Sequence, residues 1–210
     1  MNTDTAIDAA AQAAALVERG LRNFWYPVAP SYMVSDTPIG ITRLSEEIVV
    51  WRDKDGSIHA TEDRCPHRGA RLSLGWNLGD RIACWYHGVE VNGMGVVADV
   101  PAMDRCSLRG RHCIKSYPAV ESNGAIFLWF GDDSGTPVTP FELPQEMTGD
   151  EFSGFLCMQN WECNYRYAID NVMDLMHGRY LHASSHSMAE GDKRAEMVIK
   201  PTETGLLFEK

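Results

Sequence analysis

Two short runs carry the residues most able to do chemistry, Cys65-Pro-His67 and Cys84-Trp-Tyr-His87. Each offers one sulfur and one imidazole nitrogen, and both lie among turn-forming residues in β-type sequence. Thiolates and neutral imidazoles are the donors that hold zinc or iron. Zinc fingers bring two cysteines together first and two histidines later, on a helix. A [2Fe–2S] cluster of mixed ligation instead sets two sulfurs on one iron and two imidazoles on the other. Two mixed loops approaching from opposite sides supply that arrangement directly. The bland alternative is a pair of buried free thiols beside unrelated histidines.

A second set follows in IDNVMDLMHGRYLH, residues 169–182, where Asp174, His177 and His182 are spaced D-x2-H-x4-H. On a helix, positions three apart lie within roughly 60° of each other, so Asp174 and His177 share a face. His177 and His182 are about 140° apart on a regular helix. Both reach one metal only if the helix bulges or breaks between them, and Gly178 offers the place. The bland alternative here is a Met-rich amphipathic helix with two chance histidines.

The elements that must position these groups read as follows. TAIDAAAQAAALVERGL is an Ala-rich helix ending near Gly20. Its acidic Asp4 and Asp8 stand where an export signal would carry Lys or Arg, which predicts an ordinary surface helix. LRNFWYPVAP is aromatic and closes on prolines, hence extended. From Ile39 the period changes to two. ITRLSEEIVVWRD, a Lys54-Asp55-Gly56 turn and SIHATEDR predict a β-hairpin that delivers the first ligand loop. IACWYHG and VEVNGMGVV, straddling a turn at Gly93, predict a second pair, so that the two loops are hairpin tips. His59 falls in the first hairpin as a strand residue outside the loop. Gly69 is expected to let the backbone approach a cluster closely, and Trp85 and Tyr86 to shield it. CIKSYPAVESNGAIFLWFGD predicts a closing hairpin at Asn123-Gly124, and Pro137 to Pro144 a connector.

Composition narrows the classes. The chain of 210 residues is 44% hydrophobic and 23% charged, an ordinary globular balance. Its net charge of −10, from 29 acidic against 19 basic side chains, disfavours nucleic acid as a partner. Cys106, Cys113, Cys157 and Cys163 lack a metal spacing and read as free, mostly packed thiols of a reducing, cytoplasmic setting. No apolar run is long enough for a membrane span.

Taken together, C-x-H with C-x2-H and N-x-x-D-x-x-H-x4-H (Asn171, Asp174, His177, His182) resemble the oxygenase (α) subunit of Rieske non-haem iron aromatic oxygenases. DNVMDLMHGRYLH is particularly similar to the vanillate and dicamba O-demethylase branch. The lead-in Arg-Asn-Phe-Trp-Tyr-Pro is nearer the carbazole and phthalate dioxygenase groups. The resemblance implies an α+β chain: an N-terminal helix and lead-in over 1–38, a β-rich Rieske [2Fe–2S] domain over 39–145, and over 146–210 the start of a helix-grip-like catalytic domain, truncated. It implies Cys65, His67, Cys84 and His87 as cluster ligands, and His177 and His182 as ligands of a mononuclear Fe(II). Asp174 becomes the bridge from His177 to a cluster histidine, His87, of a neighbouring subunit, and Asn171 a group close to the iron. Electrons would come from NAD(P)H through a reductase or ferredoxin, and O2 would be spent on a small aromatic substrate by hydroxylation or by O- or N-demethylation. A pure Rieske electron carrier is the alternative of another class. A ring trimer is implied, with a β subunit left open. The family's third iron ligand is an Asp far downstream. Glu190, Asp192 and Glu196 do not match its position, so that ligand is expected beyond Lys210. Met173, Met176 and Tyr180 are candidates for pocket wall or core.

Overall fold

A computed structural model describes residues 3–132, 134–174, 176–184, 194, 196–203 and 205–209. The chain divides into two compact units, Met1–Met158 and Gln159–Lys210.

In the first unit, α1 (Thr3–Arg19) ends where Gly20 takes a φ of +76° and donates its N–H to the Val17 carbonyl, a helix stop suited to glycine. Residues 11–19 are all exposed, as a surface helix requires. β1 (Phe24–Pro30) is extended despite Pro27 and Pro30, because it lies at a sheet edge. β2 (Ile39–Arg43), β3 (Glu46–Arg52) and β4 (Ile58–Glu62) form an antiparallel sheet in that order. The expected single strand from Ile39 is in fact two. Leu44 and Ser45 take φ of +48° and +64° and close a tight hairpin between β2 and β3. β5 (Trp76–Asn77), β6 (Arg81–Ala83), β7 (Glu90–Asn92) and β8 (Val97–Asp99) form a second sheet. β9 (Ala119–Ser122) and β10 (Ala125–Phe130) turn at Asn123-Gly124 as read from sequence, and β10 pairs with β1.

β3 joins two cores. Successive strand side chains face opposite ways, so Val49 and Trp51 enter the core around Cys65, Leu72, Ile82, Cys84 and Val91. Ile48 and Val50 enter the other, with Val28, Ile126, Leu128 and Phe130. All four β3 side chains are 0% exposed, and burial of each contributes roughly 1.5–3 kcal/mol. The indole N–H of Trp51 donates to the Gly79 carbonyl (3.1 Å), so its burial leaves no polar group unpaired. The connector is held to the β1–β10 sheet by Phe141, whose ring lies 5.4 Å from Trp25 and 4.8 Å from Phe127. The short helix α2 (Gln145–Thr148) follows it.

The second unit holds α3 (Tyr165–Met173), whose start is capped by Asn164 accepting from the Arg166 N–H, then α4 (Gly178–Leu181). A hairpin of β11 (Val198–Pro201) and β12 (Leu206–Glu209) closes it. Among the described residues no helix is long and apolar enough to cross a membrane.

Candidate iron centres

The two Cys-His loops are one turn built twice. In the first, the Cys65 N–H donates to the Ala70 carbonyl and the Gly69 N–H to the Cys65 carbonyl, both at 2.8 Å. In the second, Cys84 donates to Val89 (2.8 Å) and Gly88 to Cys84 (2.9 Å). Gly69 and Gly88 close these turns at φ of +70° and +71°, where a side chain is strained. Gly69 is therefore needed at this turn for its conformation. A Cβ there would meet only the Arg64 side chain, 3.4 Å from its Nε. The second loop is the tip of the β6–β7 hairpin, with Ala83 opposite Glu90. The first is not a hairpin tip. It carries the chain from β4 to β5, which lie in different sheets, and Asp63 ties it down by accepting from the Ser73 N–H (2.7 Å) and hydroxyl (2.6 Å).

Depth sorts the four donors. Cys65 and Cys84 are 3% and 1% exposed, and their side chains are in hydrogen-bond reach of each other. His67 and His87 are exposed, their ring centroids 4.8 Å apart. Burial pushes the Cys65 thiol up to about 11, and Cys84 adds to the rise. Against this, the backbone N–H groups of His67 and Arg68 point at the Cys65 sulfur and favour its charged form. Sulfurs paired inside and imidazoles paired outside fit the donor demand of a mixed-ligand [2Fe–2S] cluster. Tyr86 covers one face of His87, centroids 3.9 Å apart, yet Tyr86 and Trp85 are themselves 51% and 48% exposed. His59 stacks on Trp51 and hydrogen-bonds Asp53 (2.7 Å), which accounts for it structurally.

The second set is assembled differently from the sequence expectation. α3 stops at Met173, and Asp174 leaves the helix at φ −83°, ψ 99°. Its carboxylate accepts from the Met176 N–H (2.7 Å), the local bond by which an aspartate replaces a helical one. The break thus precedes His177 instead of falling at Gly178. His177 and His182 flank α4, the single turn between them, with ring centroids 5.4 Å apart. Asp174 Oδ2 stands 3.5 Å from His177 Nδ1, long for a hydrogen bond, and that nitrogen is buried with no aligned acceptor. Hydrogen bonding from the Met176 N–H and the nearby His177 hold the Asp174 carboxyl below its ordinary range. Asn171 is exposed on α3, and Met173 and Tyr180 are exposed at 45% and 62%, so they are not core among the described residues. Glu190 and Asp192 lie outside the described residues; Glu196 is exposed. Sequence reasoning missed Arg179, 5% exposed with its Nη1 unpartnered. An arginine in an otherwise Met-rich segment was its one signal.

None of the six cysteines is in a disulfide. Cys106 and Cys113 are half-buried, whereas Cys157 and Cys163 are exposed and not packed.

Residues 24–118 match the Rieske [2Fe-2S] domain, and residues 161–210 match the vanillate O-demethylase oxygenase C-terminal domain. The chain belongs to the Rieske oxygenases. It is 37% identical to a vanillate O-demethylase oxygenase subunit of Pseudomonas sp. (strain HR199 / DSM 7063), over 82% of this chain and 48% of that protein. Its structure resembles dicamba monooxygenase bound to dicamba, with a TM-score of 0.71 and 30% identity over 86% of this chain and 54% of that one. The oxygenase of carbazole 1,9a-dioxygenase, solved in a reduced complex with ferredoxin, gives a TM-score of 0.67 and 29% identity over 87% and 50%. The chain spans about half the length of these relatives. The fold is that of a β-rich Rieske domain with a smaller helix-containing portion.

Proposed function

We propose that this chain serves a terminal oxygenase that spends O2 and externally supplied electrons on a small aromatic substrate. The observation that carries the proposal is the doubled turn, with thiols paired inside and imidazoles paired outside. Cys65, Cys84, His67 and His87 would hold the [2Fe–2S] cluster, and His177 and His182 a mononuclear iron completed by a carboxylate outside the described residues. When bound, these groups supply one-electron storage and O2 activation. The protein's own part is positioning. The buried sulfurs keep water from the inner side of the cage, and the exposed imidazoles set its outer side where electrons pass. Asp174, whose Oδ2 stands 3.5 Å from His177 Nδ1, would on closing that gap accept its N–H and fix the tautomer that leaves Nε2 free to bind the iron. Asn171 lies on the turn of helix before this break, within the same motif. In a closed ring of subunits, Asp174 would also meet His87 of the next copy, so the ring would be the working form.

A second reading, oxidative demethylation in place of ring hydroxylation, is favoured by the match of residues 161–210 to the vanillate O-demethylase model. Formaldehyde released from methoxybenzoates, against a ring diol, separates the two.

The test is iron and acid-labile sulfide per chain after anaerobic reconstitution, with electron paramagnetic resonance of the reduced protein. About two irons are expected from the cluster and about three with both centres filled. Stoichiometric zinc without sulfide would sink the proposal. Asp174→Ala should keep both iron centres yet stop turnover; near-normal turnover would remove its bridging role.

A further inference from the structure

The two ligand loops are rooted in different ways. The second sits on the β6–β7 hairpin, whose ladder pairs Ala83 with Glu90 and Arg81 with Asn92. The first has no common ladder beneath it, since β4 and β5 lie in different sheets. A side-chain clamp closes it instead. Asp63, just before the loop, accepts from the N–H (2.7 Å) and the hydroxyl (2.6 Å) of Ser73, just after it, one bond to each carboxylate oxygen. The Asp63 N–H donates to the Glu47 carbonyl (2.9 Å), which fastens the clamp to β3. Leu72, next to Ser73, is wholly buried in the core that contains Cys65 and Cys84. β2 presses on the clamp at Gly40, where a Cβ would lie 2.7 Å from Ser73 Oγ and 3.1 Å from Asp63 Oδ2. The charge of Asp63 is as unusual as its bonds. It is only 3% exposed. Neighbouring carboxylates are neutralised, Glu46 by Arg22 and Lys115 and Glu47 by Arg71. Asp63 has no ion-pair partner among the described residues, and its two oxygens are satisfied by the N–H and hydroxyl of Ser73 alone. A loop staple needs no such charge. Buried and unpaired, the charge is weakly screened and acts on whatever lies close by.

We propose that Asp63 is a positioning residue of the cluster: its carboxylate clamps the first ligand loop, and its unpaired charge makes the cluster harder to reduce. The inference rests on reading the two loops as a cluster cage and adds which residue outside the ligand set tunes its potential. Reduction brings one electron into the cage, given up by an external donor that is thereby oxidised. A fixed negative charge two residues before Cys65 opposes that added charge. The Ser73 hydroxyl works the other way, because its proton points at the carboxylate and offsets part of the charge. Clamp and charge are therefore separable. Asp63→Asn removes the charge but keeps the size and an acceptor for the Ser73 N–H. Ser73→Ala keeps the charge but removes the donor that offsets it.

The experiment is an anaerobic redox titration of the cluster-loaded chain, followed in the visible spectrum and by electron paramagnetic resonance. At the poise that half-reduces the unaltered protein, Asp63→Asn should raise the ratio of reduced to oxidised cluster about ten-fold, equivalent to about 59 mV. Ser73→Ala should lower that ratio, by about two-fold. Loss of iron to a ferrous chelator measures the clamp by itself. Asp63→Ala, which removes both bonds, should lose iron about ten-fold faster than the unaltered protein, and Asp63→Asn no more than about two-fold faster. An unchanged potential in Asp63→Asn would overturn the role of the charge. A rise in both Asp63→Asn and Ser73→Ala would overturn it too, by assigning the shift to a loosened loop that admits water. An unchanged rate of iron loss in Asp63→Ala would overturn the clamp. If Asp63→Asn takes up no cluster, the sign of the Ser73→Ala shift decides alone, a fall supporting the proposal and a rise or no change refuting it. Absence of a cluster in the unaltered protein, by contrast, is the failure of the cage reading and is seen before any potential is measured.

Discussion

The two histidine pairs differ in what holds them. His67 and His87 project from turns whose backbones are closed by matching hydrogen bonds and rooted in a core where Cys65, Cys84, Leu72 and Ile82 are all nearly or wholly buried. His177 and His182 flank one turn of helix, and the helix before it presents Ile169, Val172 and Met173 at 52%, 71% and 45% exposure. The first pair is fixed by its local sequence. The second is brought together by one short turn, with the preceding helix largely open to solvent.

Substitutions in the two regions should have unequal effects. The largest effect is expected of Cys84→Ala, which removes one sulfur of the cage. Iron, sulfide and the reduced-state resonance should all disappear; a retained cluster would show that the sulfurs are not ligands. Gly95→Ala tests the rooting of the cage without touching a ligand. Gly95 has a φ of +75°, and a Cβ would lie 2.0 Å from the Ile114 carbonyl oxygen. The variant should lose roughly 3 kcal/mol in urea unfolding; a loss below about 1 kcal/mol would mean that the β7–β8 turn yields freely.

A smaller, pH-dependent effect is expected at Glu46, where Arg22, Lys115 and Tyr117 converge. Burial raises its carboxyl, but hydrogen bonds from Lys115, Tyr117 and Arg22 outweigh that and hold it below its usual 4.5. The charged form is favoured in the folded state, so the stabilisation is present above about pH 4.5 and is lost as pH falls through the lower folded value. Glu46→Gln should cost about 1 kcal/mol at neutral pH and flatten the acid limb of the unfolding curve; an unchanged limb would rule the network out as its source. The smallest effect is expected of His182→Ala. Unfolding should move by no more than about 0.5 kcal/mol, and the cluster resonance not at all, while iron beyond the cluster is lost. A change in that resonance would erase the contrast between the two centres.

Much of this was legible in sequence, for reasons that differ by element. Asn123-Gly124 announces its turn because both residues tolerate positive φ. The Leu44-Ser45 turn gives no such sign. Neither residue favours that conformation, and only pairing of Thr42 with Glu47 and Arg43 with Glu46 imposes it. The donors in the loops were readable from type and spacing. That one loop tips a hairpin while the other passes between sheets was not, because strand pairing is a long-range choice. Asp174 ended its helix, where periodicity alone favoured Gly178, because its carboxylate competes for a backbone N–H that helical phase ignores. Only its charge in a Met-rich segment marked Arg179, since its burial depends on packing and not on neighbours in sequence.

The strand Glu46–Arg52 has one further consequence. Val49 and Trp51 support the iron cage, while Ile48 and Val50, peptide bonds away, support the sheet that holds the chain's beginning against β10. It acts as a party wall: neither room can be demolished while the other stands. Heating should therefore bleach the cluster and erase the β signal in the far ultraviolet at one temperature, and no colourless but folded species should accumulate along the way.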